Sequence, residues 1–380
     1  MNFSFFYLIS LICCYPCKRD DNYGNYSTSI TPIQTETPQY DVYELADDLS
    51  DQLVWLFFAN GTYTWSDNCS STVNPVVWQV AIAGEVMANT KDSNNLDRAT
   101  SALKNYRNST GGYSASMAKN GDIYTDDNAQ ISWVFTSAYS DTRTESYLEE
   151  AKSIIDLIRD HESPNQKGGI YWSINGEYIS SISCLETAVA ALRYNALSKN
   201  DDYVKLAKRA IIYILDNLVD EKDGFIYDGK YPDGSINYGK LTYTIGVLIS
   251  GCAYLDQLGD TEKNWKAIAV EFGVKFISGG TLNNQFFSDG HINDIIERSH
   301  LVFMGLADLL SFTTPSTSYQ KQAYDDFKQL IVREARNFRD NNEEIFESNR
   351  CPNSSEYGTL IKYASLAQVF KSVSRVVSRI

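Results

Sequence analysis

Between about residue 41 and residue 374, apolar residues recur at three- and four-residue spacing in about twelve segments. They lie near 41–59, 75–90, 94–107, 127–140, 145–161, 184–198, 201–218, 241–258, 261–277, 294–312, 319–338 and 357–374. Each predicts a helix, and convincing alternating strands are few. The segments are of two kinds. Ala129 to Tyr139, Thr242 to Leu255 and Leu301 to Leu310 are apolar nearly all round, whereas Glu149 to Asp160 and Tyr203 to Asn217 carry charge on one face. Buried inner helices alternating with amphipathic outer ones follow from that contrast. An aromatic residue followed four positions later by Ala recurs as Tyr147 with Ala151, Tyr203 with Ala207, Trp265 with Ala269 and Tyr319 with Ala323, at intervals of 54 to 62 residues. This register marks an internal helix-hairpin repeat. Six such hairpins closing on themselves give an all-α fold, an (α/α)6 barrel.

The connections orient the barrel. From an inner to the next outer helix they are short, as in Asn89 to Asn94 or Ser198 to Asp201. From outer to inner they run to roughly 15–20 residues, longer than a structural link needs, so they are candidates for function. These long loops hold Gly61 to Trp65, Gly111 through Asp127, Gly168-Gly169-Ile170-Tyr171-Trp172 and Gly224 to Gly229, which gathers aromatics and acids at one mouth. Among them Tyr124-Thr125-Asp126-Asp127-Asn128-Ala129 brings two adjacent carboxylates to the start of an apolar helix. Cleavage of a glycosidic bond needs two carboxyl groups, one to protonate the leaving oxygen and one to attack or stabilise the oxocarbenium-like centre. A junction at which Asp126 keeps non-helical dihedrals would let both side chains converge on one cleft. A helix start also favours acids as caps and through the macrodipole. Asp47-Asp48, Asp201-Asp202 and Asp325-Asp326 are equally adjacent and read as solvated helix positions. The setting in the mouth singles out Asp126-Asp127.

The formal net charge of −15 over 380 residues argues against a nucleic acid or an anionic membrane surface as partner. A neutral polysaccharide or oligosaccharide fits better, and the 26 Tyr and 6 Trp supply flat amphipathic surfaces for it. The apolar run from Phe3 to Tyr15 is too short to span a bilayer and reads as a secretory signal. Residues 1–17 are accordingly expected to be a signal peptide, 18–40 a flexible leader and 41–380 the barrel domain of a secreted protein without membrane insertion, acting as a monomer. Cys69, Cys184, Cys252 and Cys351 have no metal spacing and leave disulfide connectivity open. Acceptor sequons stand at Asn25, Asn60, Asn68, Asn108 and Asn353. His161, His291 and His300 are widely spaced and form no metal or triad motif. No glycine-rich phosphate loop follows a strand, so neither a cofactor nor a metal is expected.

The run Tyr124-Thr125-Asp126-Asp127-Asn128-Ala129, with Gly168 to Trp172, Gly224-Phe225-Ile226-Tyr227-Asp228 and Leu241-Thr242-Tyr243-Thr244-Ile245-Gly246, resembles glycoside hydrolase family 76, the endo-α-1,6-mannanases. The resemblance covers nearly all of the chain after residue 41. It implies an (α/α)6 barrel, α-1,6-mannan as substrate and a retaining mechanism with Asp126 as nucleophile and Asp127 as acid/base. Tyr124, Asn128, Trp172, Tyr227, Asp228 and Tyr243 are then the candidate substrate-binding residues, with Trp172 stacking on sugar. The chain departs from the family at Gln130-Ile131, where Trp-Trp is usual, at Thr244-Ile245, where Asn-Gln is usual, and around Glu297-Arg298. Three alternatives stay open: a catalytically silent mannan-binding or wall protein, a transglycosylase, and another (α/α)6 sugar enzyme. A 2-epimerase using His291 or His300, or an unsaturated uronyl hydrolase, would be of the last kind.

Overall fold

A computed structural model of the protein describes residues 40–118, 120–278, 286–288, 290–347, 350–352 and 358–380. The signal segment, and the leader up to residue 39, lie outside them. Twelve helices fall on the twelve predicted segments. They are α1 (Val42–Phe57), α2 (Val77–Ala88), α3 (Ser93–Lys104), α4 (Thr125–Thr142), α5 (Glu145–Arg159), α6 (Ser181–Leu197), α7 (Asp201–Asn217), α8 (Thr242–Gln257), α9 (Trp265–Ser278), α10 (Ile296–Phe312), α11 (Ser318–Asp340) and, after the short α12 (Glu343–Glu347), α13 (Leu360–Ser374). Helices α2, α4, α6, α8, α10 and α13 pack each against the next, and α13 returns to α2, so they form a closed inner ring. Outside it α3, α5, α7 and α9 pack on the inner helices that precede them. The architecture is an (α/α)6 barrel.

The sixth hairpin joins the two ends of the described chain, because α1 packs on α13. Tyr40 and Ile380 exchange both backbone hydrogen bonds, each at 3.0 Å. A disulfide between Cys69 and Cys351, 282 residues apart, ties the loop before α2 to the one before α13. Cys184 and Cys252 are free and buried. Confining so long a loop in the unfolded chain stabilises the fold by up to roughly 5 kcal/mol. Cys69→Ser is therefore expected to lower the melting temperature markedly. Melts with and without reductant check it: reductant should destabilise the parent and leave the variant unmoved.

The two sets of helices satisfy their first N–H groups differently. Four of the outer helices use N-cap side chains, with Asp41, Asp92, Asn200 and Thr317 capping α1, α3, α7 and α11. Inner helices borrow carbonyls from the next long loop. Val77 donates to Ala115 at 2.9 Å, Thr125 to Trp172 at 2.9 Å, Ser181 to Asp228 at 2.8 Å and Leu360 to Asp67 at 2.9 Å. A buried helix start must find an acceptor from somewhere, and here it sews neighbouring loops into one rim. Short strands complete the rim: β1 (Phe58–Ala59) with β2 (Thr64–Trp65), β3 (Ile179–Ser180) with β4 (Gly229–Lys230) and β5 (Ile236–Asn237), and β6 (Phe287–Ser288) with β7 (His291–Ile292). The positive ends of the inner-helix dipoles thus share the mouth with the long loops.

Of the sequons, Asn25 and Asn353 lie outside the described residues. Asn108 is buried, its side chain committed to Ser114, Gly121 and Thr110, which removes it as a glycan acceptor in the folded protein. Asn60 is exposed. Among the described residues no helix is long and apolar enough to cross a membrane.

Candidate active site

Helix α4 begins earlier than its sequence suggested. Tyr124, extended at φ −100° and ψ 137°, is the N-cap, and Thr125 is already helical. The Thr125 hydroxyl donates to the Tyr171 carbonyl at 2.7 Å, and its N–H is held by Trp172, so the next loop fixes the helix start. Asp126 and Asp127 therefore both occupy the first turn, and the expected non-helical Asp126 is not found. The Asp126 side chain folds back over the helix end, where its Oδ1 accepts the Asp127 N–H at 3.0 Å.

Trp172 reaches the pair from the neighbouring loop, its indole Nε1 donating to Asp126 Oδ2 at 2.9 Å. Its ring lies 4.6 Å from that of Tyr124, and 42% of it is exposed. Gly168 sets this loop: at φ +92°, a Cβ there would come within 2.2 Å of the Arg209 carbonyl oxygen, so only glycine lets the loop dock on α7.

The two carboxyls differ in surroundings. Burial raises the Asp126 pKa to about 6, opposed by the hydrogen bonds from Asp127 and Trp172 and reinforced by the charge of Asp228. Among the described residues no donor to the Asp127 carboxyl is found, and burial followed by the charge of Asp126 pushes its pKa well above the usual range. A third acid escaped the sequence reading. Glu186 of α6 is 1% exposed and accepts from Gln130 Nε2 at 2.7 Å. Burial, then the charge of Asp126, raises its pKa well above normal. A single acid inside the apolar run of α6 was the available signal. Gln130, where the family usually has an aromatic, is the partner that holds it.

The remaining sequence candidates divide. Asp228 sits within electrostatic reach of Asp126 and accepts from Tyr178 and from Asn237, the latter at 2.8 Å. Tyr243 feels the charges of Asp228, Asp126 and Glu186, which places it in the same cluster. Asn128 does not face the cleft. It is fully buried and spends its amide on the Tyr113 N–H and on the carbonyls of Tyr113 and Tyr124, so it anchors the loop instead of touching substrate. Tyr227 is engaged by Lys240, Tyr238 and Asp220. His291 pairs with Glu334 at 3.1 Å, and His300 is buried and held neutral, its pKa lowered to about 4 by desolvation.

The barrel has counterparts among known proteins. The chain matches the model of Glycosyl hydrolase family 76 over residues 42–363. It superimposes on a GH76 α-mannanase of Bacteroides thetaiotaomicron with a TM-score of 0.71 at 20% identity, covering 88% of this chain and 96% of that one. An α-1,6-mannanase of Salegentibacter sp., made inactive at two adjacent aspartates and bound to α-1,6-mannotriose, gives 0.71 at 16% identity, with 88% and 99% covered. Dfg5 of Chaetomium thermophilum, in complex with glucosamine, gives 0.62 at 14%, with 88% and 90% covered. In sequence, the chain is 30% identical to the meiotically up-regulated gene 191 protein of Schizosaccharomyces pombe over 53% of its own length, and spans about half (51%) of that relative. With the family model matched from the start of α1 to the first turn of α13, the chain belongs to glycosyl hydrolase family 76.

Proposed function

We propose that the protein is a retaining endo-α-1,6-mannanase in which Asp126 is the nucleophile and Asp127 the acid/base. One observation carries the assignment of roles: Asp126 receives two hydrogen bonds and Asp127 receives none among the described residues. Donors favour the charged form, so Asp126 loses its proton first, and its charge then holds the proton on Asp127. An ionised attacker beside a protonated donor is what the first half-reaction requires. Asp127 protonates the glycosidic oxygen as Asp126 forms the glycosyl-enzyme. Asp127, now a base, then takes a proton from the water that releases the sugar. Trp172 and Tyr124 offer the sugar an aromatic wall, and the mannotriose-bound relative of the same fold supports an α-1,6-mannan ligand.

Residues 41–380 would be the catalytic domain of a secreted monomer, behind a signal at 1–17 and a leader at 18–40. The Cys69–Cys351 disulfide supports export to an oxidising compartment. A second reading, transfer of the glycosyl group to a sugar acceptor, is favoured by the likeness to Dfg5, whose structure holds a bound glucosamine. Digestion of α-1,6-mannan with product sizing, with and without acceptor oligosaccharides, tests both. Hydrolysis products of initially retained configuration are expected; inverted products would end the assignment.

Trp172→Phe separates positioning from stacking. It keeps a ring but removes the N–H that lowers the Asp126 pKa. The acid limb of kcat/KM is expected to move to higher pH, with turnover falling roughly ten- to a hundredfold. An unmoved limb would show that the indole does not tune Asp126.

A further inference from the structure

The barrel has a second cavity, about 510 Å3 in volume, at the opposite end from the mouth, where the inner helices finish. Its size is that of a small-molecule site. Two of the three cations in its walls are already paired with carboxylates. Glu85 Oε1 lies 2.7 Å from Arg193 Nη1, and Asp308 Oδ1 lies 2.6 Å from Arg375 Nη2. The remaining cation, Lys371, donates to the Val86 carbonyl at 2.8 Å and makes no ion pair with a carboxylate among the described residues. Two of its three N–H bonds have no partner among the described residues. Arg193 Nε is also buried without a partner, although its guanidinium is fixed over Trp133 at 4.7 Å. Burial holds the Lys371 pKa down to about 8, against the raising influence of Asp47 of α1, Glu85 of α2 and Asp141 of α4. Asp47 and Asp141 are exposed at the rim, where water and salt screen them. Tyr43 and Tyr254 are the other titratable groups that face the space. Ser140, Ser372 and Asn89 add neutral donors, and Tyr254 and Phe312 give it an aromatic side.

A cavity lined by three cations and three carboxylates, in which the Lys371 ammonium makes no carboxylate ion pair and the Arg193 Nε is unpartnered, offers an anion on a polyol these two donors, the neutral hydroxyls and the aromatic wall. We propose that this cavity is a second ligand site, separate from the acid pair, that takes a phosphorylated or carboxylated sugar with its anionic group on Lys371 and Arg193. An anion there restores the charge that burial disfavours on Lys371, so binding and protonation are linked.

Calorimetric titration of the full chain with glucose 6-phosphate, glucuronate, inorganic phosphate and glucose tests the proposal. The two charged sugars are compared to show which anion the site prefers. At least one is expected to bind at pH 7.5, and its affinity to fall about tenfold or more by pH 9.5 as the Lys371 amine loses its proton. Glucose and inorganic phosphate should each bind more weakly. Lys371→Met should abolish binding while leaving mannan hydrolysis unchanged, since Lys371 is remote from the mouth. Binding that survives Lys371→Met, or that is equal at the two pH values, would overturn the site, and so would no binding by either charged sugar. Inorganic phosphate binding as tightly as the sugar phosphate would remove the polyol from the proposal. The parent's pH dependence decides the matter even if the variant folds poorly.

Discussion

Asp126→Asn and Asp127→Asn are each expected to lose at least about a thousandfold in turnover while gaining stability at neutral pH. The loss follows from chemistry: an amide neither attacks an anomeric carbon nor delivers a proton. The gain follows from linkage. Asp126 has a folded-state pKa of about 6 against an ordinary value of 3.8, so folding holds a proton that the unfolded chain releases. Its contribution to stability is fully present below about pH 4 and is lost as pH rises toward 6, a cost of roughly 3 kcal/mol at pH 7. Asn carries no such cost, so the advantage of the variant should open between pH 4 and 6 and stay flat above. Asp127 should behave alike over a window extending higher, because its pKa is raised further. Urea melts at pH 4, 5, 6 and 7 measure the effect. Equal stability of parent and variant at pH 7 would mean that the acids are not desolvated as described. The variants should part with a substrate bearing an activated leaving group, which needs little protonation. Asp127→Asn should then form the glycosyl-enzyme and be rescued by azide with retained configuration, and Asp126→Asn should not.

Gly246→Ala and Gly305→Ala are expected to prevent stable folding or to cost more than about 4 kcal/mol. Helices α8 and α10 touch backbone to backbone. A Cβ on Gly246 would stand 2.2 Å from the Leu301 carbonyl oxygen, and one on Gly305 would stand 2.0 Å from the Gly246 oxygen. No rotamer change relieves a clash with main chain, so the two helices would have to part and open the inner ring. Tyr243 lies one turn before Gly246, and any folded fraction should therefore also lose activity. Gly61→Ala, where a Cβ meets nothing within 4 Å, is the control and should be near neutral. Urea denaturation of the three variants decides it. A Gly246→Ala protein within about 1 kcal/mol of the parent would contradict the close contact.

The sequence by itself determined the twelve helices, their alternation of buried and amphipathic character, and the gathering of long loops at one mouth. Helical periodicity is a local property, readable from neighbours three and four positions apart. The acid pair was legible for the same reason, since Asp126 and Asp127 are adjacent. Everything that distinguishes the two acids came from elsewhere in the chain. The Trp172 indole arrives from 46 residues away, the charge of Asp228 from a further loop, and Glu186 from the next inner helix. A pKa answers to burial and to charges through space, and neither is visible along a sequence. Tertiary structure likewise decided that α1 completes its hairpin with α13, that Cys69 pairs with Cys351, and that Asn128 is spent inside the fold while Tyr227 turns to Lys240. Ring closure depends on contacts between segments hundreds of residues apart, and side-chain direction on contacts between loops and helices, neither of which a local period encodes.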